Sequence, residues 1–361
     1  MMHRFAPLVL ISVLPALGAG YAPRPDLDAG RYLKALDEAD AVLKQNPASA
    51  LAWAAKSQAL TALVRLPEAL EAARKALELQ PGLADALLAR GLALGGAAVQ
   101  QRNLGSVGKL SGAMADLRAA TQADPSLVAA WMTLGLAYEQ LPGFLLGGST
   151  RKALDCAESL KKVAPARGDV LQGTILAMEG RWPEAQACFA RALAAAPQDP
   201  EVIYGYLDAL GSKPTRKVLG DEGQRRLQIQ EATRLRPAAQ NRARPLTAIC
   251  DALIDAGRHE AAWAIAQEAL PSADAPSLLR MQLGKIAARS GLHREEGLAA
   301  LDQVLREPLE GGTGGYGSAQ WRRGQILQAL GRKEEARAAA KAALQLDPKD
   351  PKAKRLLDEL Q

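Results

Sequence analysis

The chain has 361 residues, of which 48% are hydrophobic and only 4% aromatic, with Ala and Leu predominating. This composition favours helices, and the lack of Val-, Ile-, Thr- and Tyr-rich runs with period-two alternation argues against a β-sheet. The formal net charge of +6 is small for this length, and because Lys and Arg alternate with Asp and Glu, we expect solvated helix faces and no nucleic-acid partner.

Residues 1–20 have the pattern of a secretory signal peptide. Arg4 supplies a positive charge, an apolar run of 13 residues follows at 5–17, and small residues occupy 18–20. The run is too short for a membrane anchor, and no other stretch is long enough to span a bilayer. The sequence therefore predicts an exported protein, periplasmic or secreted, with residues 21–29 as a linker after the signal.

Prolines recur along the chain at spacings near the length of one helical repeat. Pro47 and Pro81 are 34 residues apart, and the later spacings range from 32 to 44 residues. Residues 30–47 predict a single helix that lacks a first-helix partner, because the signal occupies that place. Trp53 and Trp131 occupy the same position in their units, and we predict that both are packing residues.

The octet at 131–138, WMTLGLAY, fits the pattern W-x₂-L-G-x₂-Y at every specified position. Small residues at Ala153 and Ala157 and a closing Pro165 continue the pattern. The chain thereby resembles the tetratricopeptide repeat family, in its exported bacterial form. The resemblance implies an all-α fold, a right-handed superhelical solenoid of helix-turn-helix repeats, and a role in binding.

Two of the long spacings place inserts near 100–109 and 141–150, where Gly and Pro interrupt the helical pattern. The second insert contains LLGGST at 145–150, which is similar to periplasmic repeat proteins associated with TRAP transporters. That similarity implies an alternative function, the binding of small apolar solutes for a TRAP-type transport system.

The units at 198–308 depart from the repeat pattern, with Arg225 and Gly297 at positions where Ala is expected. Basic residues concentrate at 213–244, for which we predict a loosely folded, solvated insert. The alternative is an electropositive patch for an acidic peptide. Aromatic side chains that would stack bases are missing from this stretch, which disfavours nucleic acid.

The C-terminal unit is regular again. Gly331 marks the turn between two helices, and the second helix carries a small-residue face at Ala336, Ala340 and Ala343. Residues 349–361 predict a capping helix. The predicted organisation is a signal at 1–20, a linker at 21–29, an array of about eight units at 30–348 and a cap at 349–361.

Motifs for catalysis or metal binding are lacking. His259 and Glu260 begin an H-E-x-x-H motif, but the second histidine is missing. The spacing of the three cysteines matches no zinc site. We expect them to be buried free thiols, at Cys156, Cys188 and Cys250. The match to G-x-G-x-x-G at 312–317 follows a predicted helix where a dinucleotide site needs a strand, so we expect a loop, with anion binding as the alternative. We predict no enzyme, no cofactor and no metal.

In this family the first helix of each unit lines the concave surface. The resemblance therefore implies a groove whose lining includes Leu88, Leu92, Met132, Leu136, Tyr204 and Trp321. Its N-terminal half would be apolar and would accept an amphipathic helix or an extended peptide, unless the inserts or packing cover it. The leading hypothesis is a non-catalytic protein–protein interaction scaffold in the cell envelope or secreted space.

Overall fold

The computed structural model describes residues 21–28, 30–101, 106–307, 309–310 and 315–360. Over these residues the regular secondary structure is entirely helical, with one turn of 3₁₀ helix at Leu270–Ser272. The helices of the first half are α1 (Arg24–Asp28), α2 (Tyr32–Gln45), α3 (Ala50–Ala62), α4 (Leu66–Leu79), α5 (Ala84–Gln101), α6 (Ser106–Ala123), α7 (Val128–Gln140), α8 (Gly143–Leu146), α9 (Thr150–Lys161) and α10 (Pro165–Met178). The predicted signal segment and most of the motif at 312–317 lie outside the described residues.

The second half continues the same alternation of helices and short turns. Its helices are α11 (Trp182–Ala195), α12 (Pro200–Gly211), α13 (Lys213–Ala239), α14 (Ala243–Asp255), α15 (His259–Ala269), α16 (Pro276–Ser290), α17 (Arg294–Val304), α18 (Gly315–Ala329), α19 (Lys333–Leu346) and α20 (Pro351–Glu359). Proline occupies the first turn of several helices, where its missing N–H has no helical partner to lose.

Sharp turns between paired helices depend on a residue with left-handed backbone. In three of the turns this residue is a glycine with φ of 75–77°, namely Gly180, Gly257 and Gly331. The residue after each glycine donates its N–H to a carbonyl five residues earlier, at 2.8–2.9 Å, which ends the first helix. The turn between α3 and α4 closes with the same bond, but Val64 takes the left-handed position, at φ 62°.

Small residues allow each first helix to approach its second helix closely. Ser57, Cys250 and Gly324 each face the carbonyl oxygen of the residue 12 positions later. The Ser57 hydroxyl and the Cys250 thiol donate to this oxygen at 2.8 Å and 3.5 Å, and a Cβ on Gly324 would lie 3.3 Å from it. At Gly284 a Cβ would lie only 2.4 Å from a leucine side chain of α17. These contacts explain how an array rich in Ala packs without many aromatic residues.

The helices stack as a solenoid. Along the inner row, α12 packs on α14, α14 on α16 and α16 on α18, while each second helix packs against its own first helix. The last helix, α20, packs on α18 and α19 and buries Ala353 and Leu356, in the place predicted for a cap. The predicted all-α superhelical solenoid is confirmed.

The stretch from residue 213 differs from the prediction of a loose insert. It forms α13, a helical segment that bends at Gly220, where φ is 71° and ψ is 165°. The charged residues that suggested a solvated loop lie on one side of this helix, while Gln224, Gln228 and Ala232 are buried on the other. The long spacing near 100–109 also has a helical cause, because α5 and α6 extend to 18 residues each.

The start of the chain crosses the concave side of the solenoid. We call residues 24–28 and 30–33 the N-terminal strap. The Arg24 guanidinium donates to both carboxylate oxygens of Asp85, at 2.8 Å and 3.0 Å, and to Asp124 at 2.8 Å. One side chain therefore ties the strap to α5 and to the turn before α7.

The far end of the strap contacts the C-terminal half of the array. The backbone N–H of Leu33, in the first turn of α2, donates to the buried Glu310 carboxylate at 3.1 Å. At Gly30 the strap passes so close to α14 that a Cβ would lie 2.9 Å from the Arg244 side chain. The strap thus joins residues that are 277 positions apart in sequence and closes the concave side.

Candidate functional site

The concave side encloses a cavity of about 670 Å³, a size that is typical of binding sites. Its main wall is formed by the first helices α12, α14, α16 and α18, and Gly30, Tyr32 and Ala62 from the start of the chain complete the lining. The charged side chains in the lining are Asp208, Arg244, Asp251, Asp255, Lys285 and Arg322. This cavity is therefore a candidate binding site.

Two ion pairs join α14 to α16 along this wall. The Lys285 ammonium lies 2.6 Å from the Asp251 carboxylate, and the Arg289 guanidinium lies 2.8 Å from Asp255. Both pairs join residues 34 positions apart, so the partners occupy equivalent positions on successive first helices. These four charges largely neutralise one another.

Arg244 is held by an acid and an aromatic ring. Its guanidinium lies 2.8 Å from Glu201 and 4.6 Å from the centre of the Tyr204 ring. Burial alone would lower the pKa of Arg244, but Glu201, Tyr32 and Tyr204 raise it above its usual value, so the group is charged. Burial, together with the charge of Asp208, raises the pKa of Tyr204, so its hydroxyl keeps its proton at neutral pH.

Two charged side chains of the cavity wall, Asp208 and Arg322, form no direct ion pair with an opposite charge in the described chain. Asp208, on α12, forms no hydrogen bond or ion pair with a described residue, and cavity solvent reaches its carboxylate. The surrounding protein raises its pKa, and the charge of Asp251 adds to this effect. Arg322, on α18, donates to the Ser318 hydroxyl and lies 5.3 Å from the ring centre of Trp321. Desolvation by the surrounding helices lowers the pKa of Arg322.

Two glutamines add unmet hydrogen-bonding capacity to the lining. Gln228 and Gln282 are 1% and 6% exposed, and the Oε1 of each accepts no hydrogen bond from the described protein. Buried polar groups in proteins are normally satisfied, and leaving one unmet costs about 1–3 kcal/mol. Both oxygens are buried behind the cavity surface, so they do not contact an occupant directly.

The six predicted groove residues do not form one surface. Four of them belong to the cluster where α5, α6 and α7 meet, namely Leu88, Leu92, Met132 and Leu136. Leu88 is 1% exposed and lies in the core, because the lengthened α6 covers it with Met114 and Leu117, and the other three are half-buried. Leu88 therefore does not lie on the groove surface where the family pattern put it.

The remaining two predicted residues are exposed to hollows on the inner side. Tyr204 lines the cavity, and Trp321 lies in a second hollow of about 310 Å³ between α18 and α20, where the Lys352 ammonium is 4.9 Å from its ring centre. A role in partner binding for the six residues stays a prediction.

Asp251, Asp255 and Lys285 of the cavity wall were not singled out from the sequence, whereas Arg244 belongs to the basic stretch at 213–244. A signal for them exists, because Asp251 and Lys285, and likewise Asp255 and Arg289, are opposite charges one repeat length apart on first helices. A search for charge pairs at the repeat spacing would have found them. The isolated charge of Arg322 carries no such signal.

The remaining features are the cysteines, a turn histidine, metal-binding side chains and membrane spans. All three cysteines are buried free thiols, as predicted. His293, in the turn before α17, stacks on Trp263 with ring centres 4.3 Å apart and places Nε2 3.0 Å from Glu260. The described residues hold no group of three metal-binding side chains, and none of their helices is long and apolar enough to cross a membrane.

Family models of the tetratricopeptide repeat match residues 26–84 and 317–350, near the two ends of the array. The chain is a tetratricopeptide repeat protein. Such proteins are generally scaffolds for protein–protein interaction, and the repeats support that role for this chain. A comparison with curated proteins finds no match.

Several solved structures are similar to this tetratricopeptide array. A thermophilic repeat protein from Thermus thermophilus is 24% identical over 52% of this chain and 99% of its own, with a TM-score of 0.43. Yeast Tom70 is 14% identical over 94% of this chain and 79% of its own, with a TM-score of 0.47. A repeat protein from Parabacteroides merdae is 14% identical over 75% of this chain and 98% of its own, with a TM-score of 0.42.

Proposed function

We propose that the protein is an exported scaffold that binds a peptide segment of a protein partner in the cavity on the concave side of its array. The observation that carries the proposal is the convergence of four adjacent first helices on one space of about 670 Å³. Their inner faces offer charged, aromatic and amide groups together, which is the mixture that recognises a peptide by side chain and backbone.

The lining favours a peptide over the alternative of a small apolar solute. An apolar molecule in the cavity would remove water from Asp208, Asp251 and Arg322 without replacing its hydrogen bonds, which is costly for charged groups. A peptide carries donors and acceptors along its whole backbone and can replace those bonds.

Partner binding can be tested by capture from an envelope extract on the immobilised full chain. The informative variant is Asp208→Arg, which reverses a solvent-reached charge in the cavity. The matched control is Glu222→Arg, because Glu222 lies on the outer side of α13 with its side chain 88% exposed. We expect the same partner on the wild type and on the control, and its loss from Asp208→Arg. Equal recovery on all three would rule out binding in the cavity.

Export rests on residues 1–20, with Arg4 before the apolar run. Cell fractionation of a C-terminally tagged chain, followed by N-terminal sequencing, tests it. We expect a processed chain outside the cytoplasm that starts near residue 21. A cytoplasmic chain that keeps residues 1–20 would refute export and leave cavity binding to be judged by the capture experiment.

A further inference from the structure

The charges of the cavity indicate what kind of segment it accepts. Three of the acids and three of the bases on the inner row pair with each other, as Glu201 with Arg244, Asp251 with Lys285 and Asp255 with Arg289. The charges left over are one acid, Asp208, and one base, Arg322. An occupant that satisfies both must carry a positive and a negative group.

The positions of the two charges set the orientation of the occupant. Asp208 lies on α12 and Arg322 on α18, at opposite ends of the row in which α12, α14, α16 and α18 pack in turn. The charge of Asp251, on α14 between them, acts on the pKa of both groups, so the two side chains converge on the same cavity. The occupant therefore lies across α14 and α16, with its positive group toward α12 and its negative group toward α18.

Resting on the proposed function, we propose that the cavity binds a dipolar peptide segment whose basic side chain contacts Asp208 and whose acidic side chain contacts Arg322. The Lys285–Asp251 and Arg289–Asp255 pairs between them leave the middle of the wall electrically neutral, so the central residues of the segment are uncharged.

A random 12-residue peptide display library, selected on the immobilised full chain, tests the charge pattern. The variants are Asp208→Asn and Arg322→Gln, which keep the side-chain size and remove one charge each, and the matched control is Glu222→Gln. We expect the wild type and the control to enrich peptides with a basic and an acidic residue at a constant spacing. Asp208→Asn should lose the preference for the basic residue only, and Arg322→Gln the preference for the acidic residue only.

A selected peptide, synthesised with capped ends, then gives affinities by fluorescence anisotropy. Each single variant should weaken binding about tenfold, as expected for one hydrogen bond to a charged group at a partly exposed site. Circular dichroism confirms that the variants fold, and loss of Arg322 leaves no acid unpaired. Enriched peptides without a charge pattern, bound equally by all variants, would overturn the dipolar segment and leave cavity binding standing. No enrichment over the input library would overturn both.

Discussion

Replacing Arg24 with Gln should release the N-terminal strap from the array. The Asp85 carboxylate that Arg24 binds is only 6% exposed, so the variant leaves a nearly buried charge without its partner. Breaking a fully buried pair costs about 3–5 kcal/mol, but Arg24 itself is 41% exposed, which reduces the expected cost to about 1–3 kcal/mol. Because repeats contact mainly their neighbours, we expect this loss to be local. Amide hydrogen exchange in α1 and the first turn of α2 should accelerate about 5- to 150-fold.

The matched control is Arg65→Gln, which breaks an exposed pair with Glu68 at 2.6 Å. Exposed pairs contribute about 0–1 kcal/mol, so exchange should change little. Adding Asp85→Asn to the Arg24 variant should recover part of the lost protection, because the unpaired buried charge is then gone. If α1 exchanges at the same rate in the Arg24 and Arg65 variants, the strap is not held by this ion pair.

Three further changes test the turns, the packing and the pH response. Val64→Gly should stabilise the protein by about 0.5–1 kcal/mol in thermal unfolding. The change removes the strain of a left-handed valine, which is larger than the extra conformational entropy that a glycine loses on folding. A loss of stability would contradict this account of the turn. Gly284→Ala should destabilise the protein by about 1–3 kcal/mol in thermal unfolding, because the added Cβ would lie 2.4 Å from the Leu301 side chain. Gly95→Ala in α5, whose Cβ would meet nothing within 4 Å, should stabilise it slightly. Equal effects of the two changes would show that the helices around Gly284 adapt to the added methyl group. Burial raises the pKa of Glu310, so its contribution to stability is greatest at low pH and falls as pH rises above its unfolded value of about 4.3. Denaturant midpoints measured from pH 4 upward should therefore decline more for the wild type than for Glu310→Gln, and parallel curves would refute this.

Local features of the fold could be predicted because each depends on a few neighbouring residues. Trp53 and Trp131 were expected to pack, and each indole N–H donates to the proline carbonyl six residues earlier at 2.9 Å. The turn glycine Gly331 was recognisable for the same reason, since a left-handed residue must follow the first helix. The repeat pattern thus predicted the type and order of the helices.

The closure of the concave side could not be predicted in this way. The contact of Leu33 with Glu310 depends on small rotations accumulated over all the intervening repeats, and no local pattern encodes their sum. The helix α13 was missed because its charges hid a buried face around Gln228. Leu88 was misplaced because its covering helix, α6, is longer than the family pattern implies.

The strap also affects the order in which the chain can complete its structure. Leu33 leaves the ribosome 277 residues before Glu310, and at about 5–20 residues per second this interval lasts roughly 14–55 s. The strap's contact with Glu310 therefore cannot form until most of the repeats have been made, although the strap's own residues are among the first. In an ordinary solenoid either end frays independently. Here the hydrogen bond from Leu33 to Glu310 couples fraying of the strap to fraying of the C-terminal half of the array.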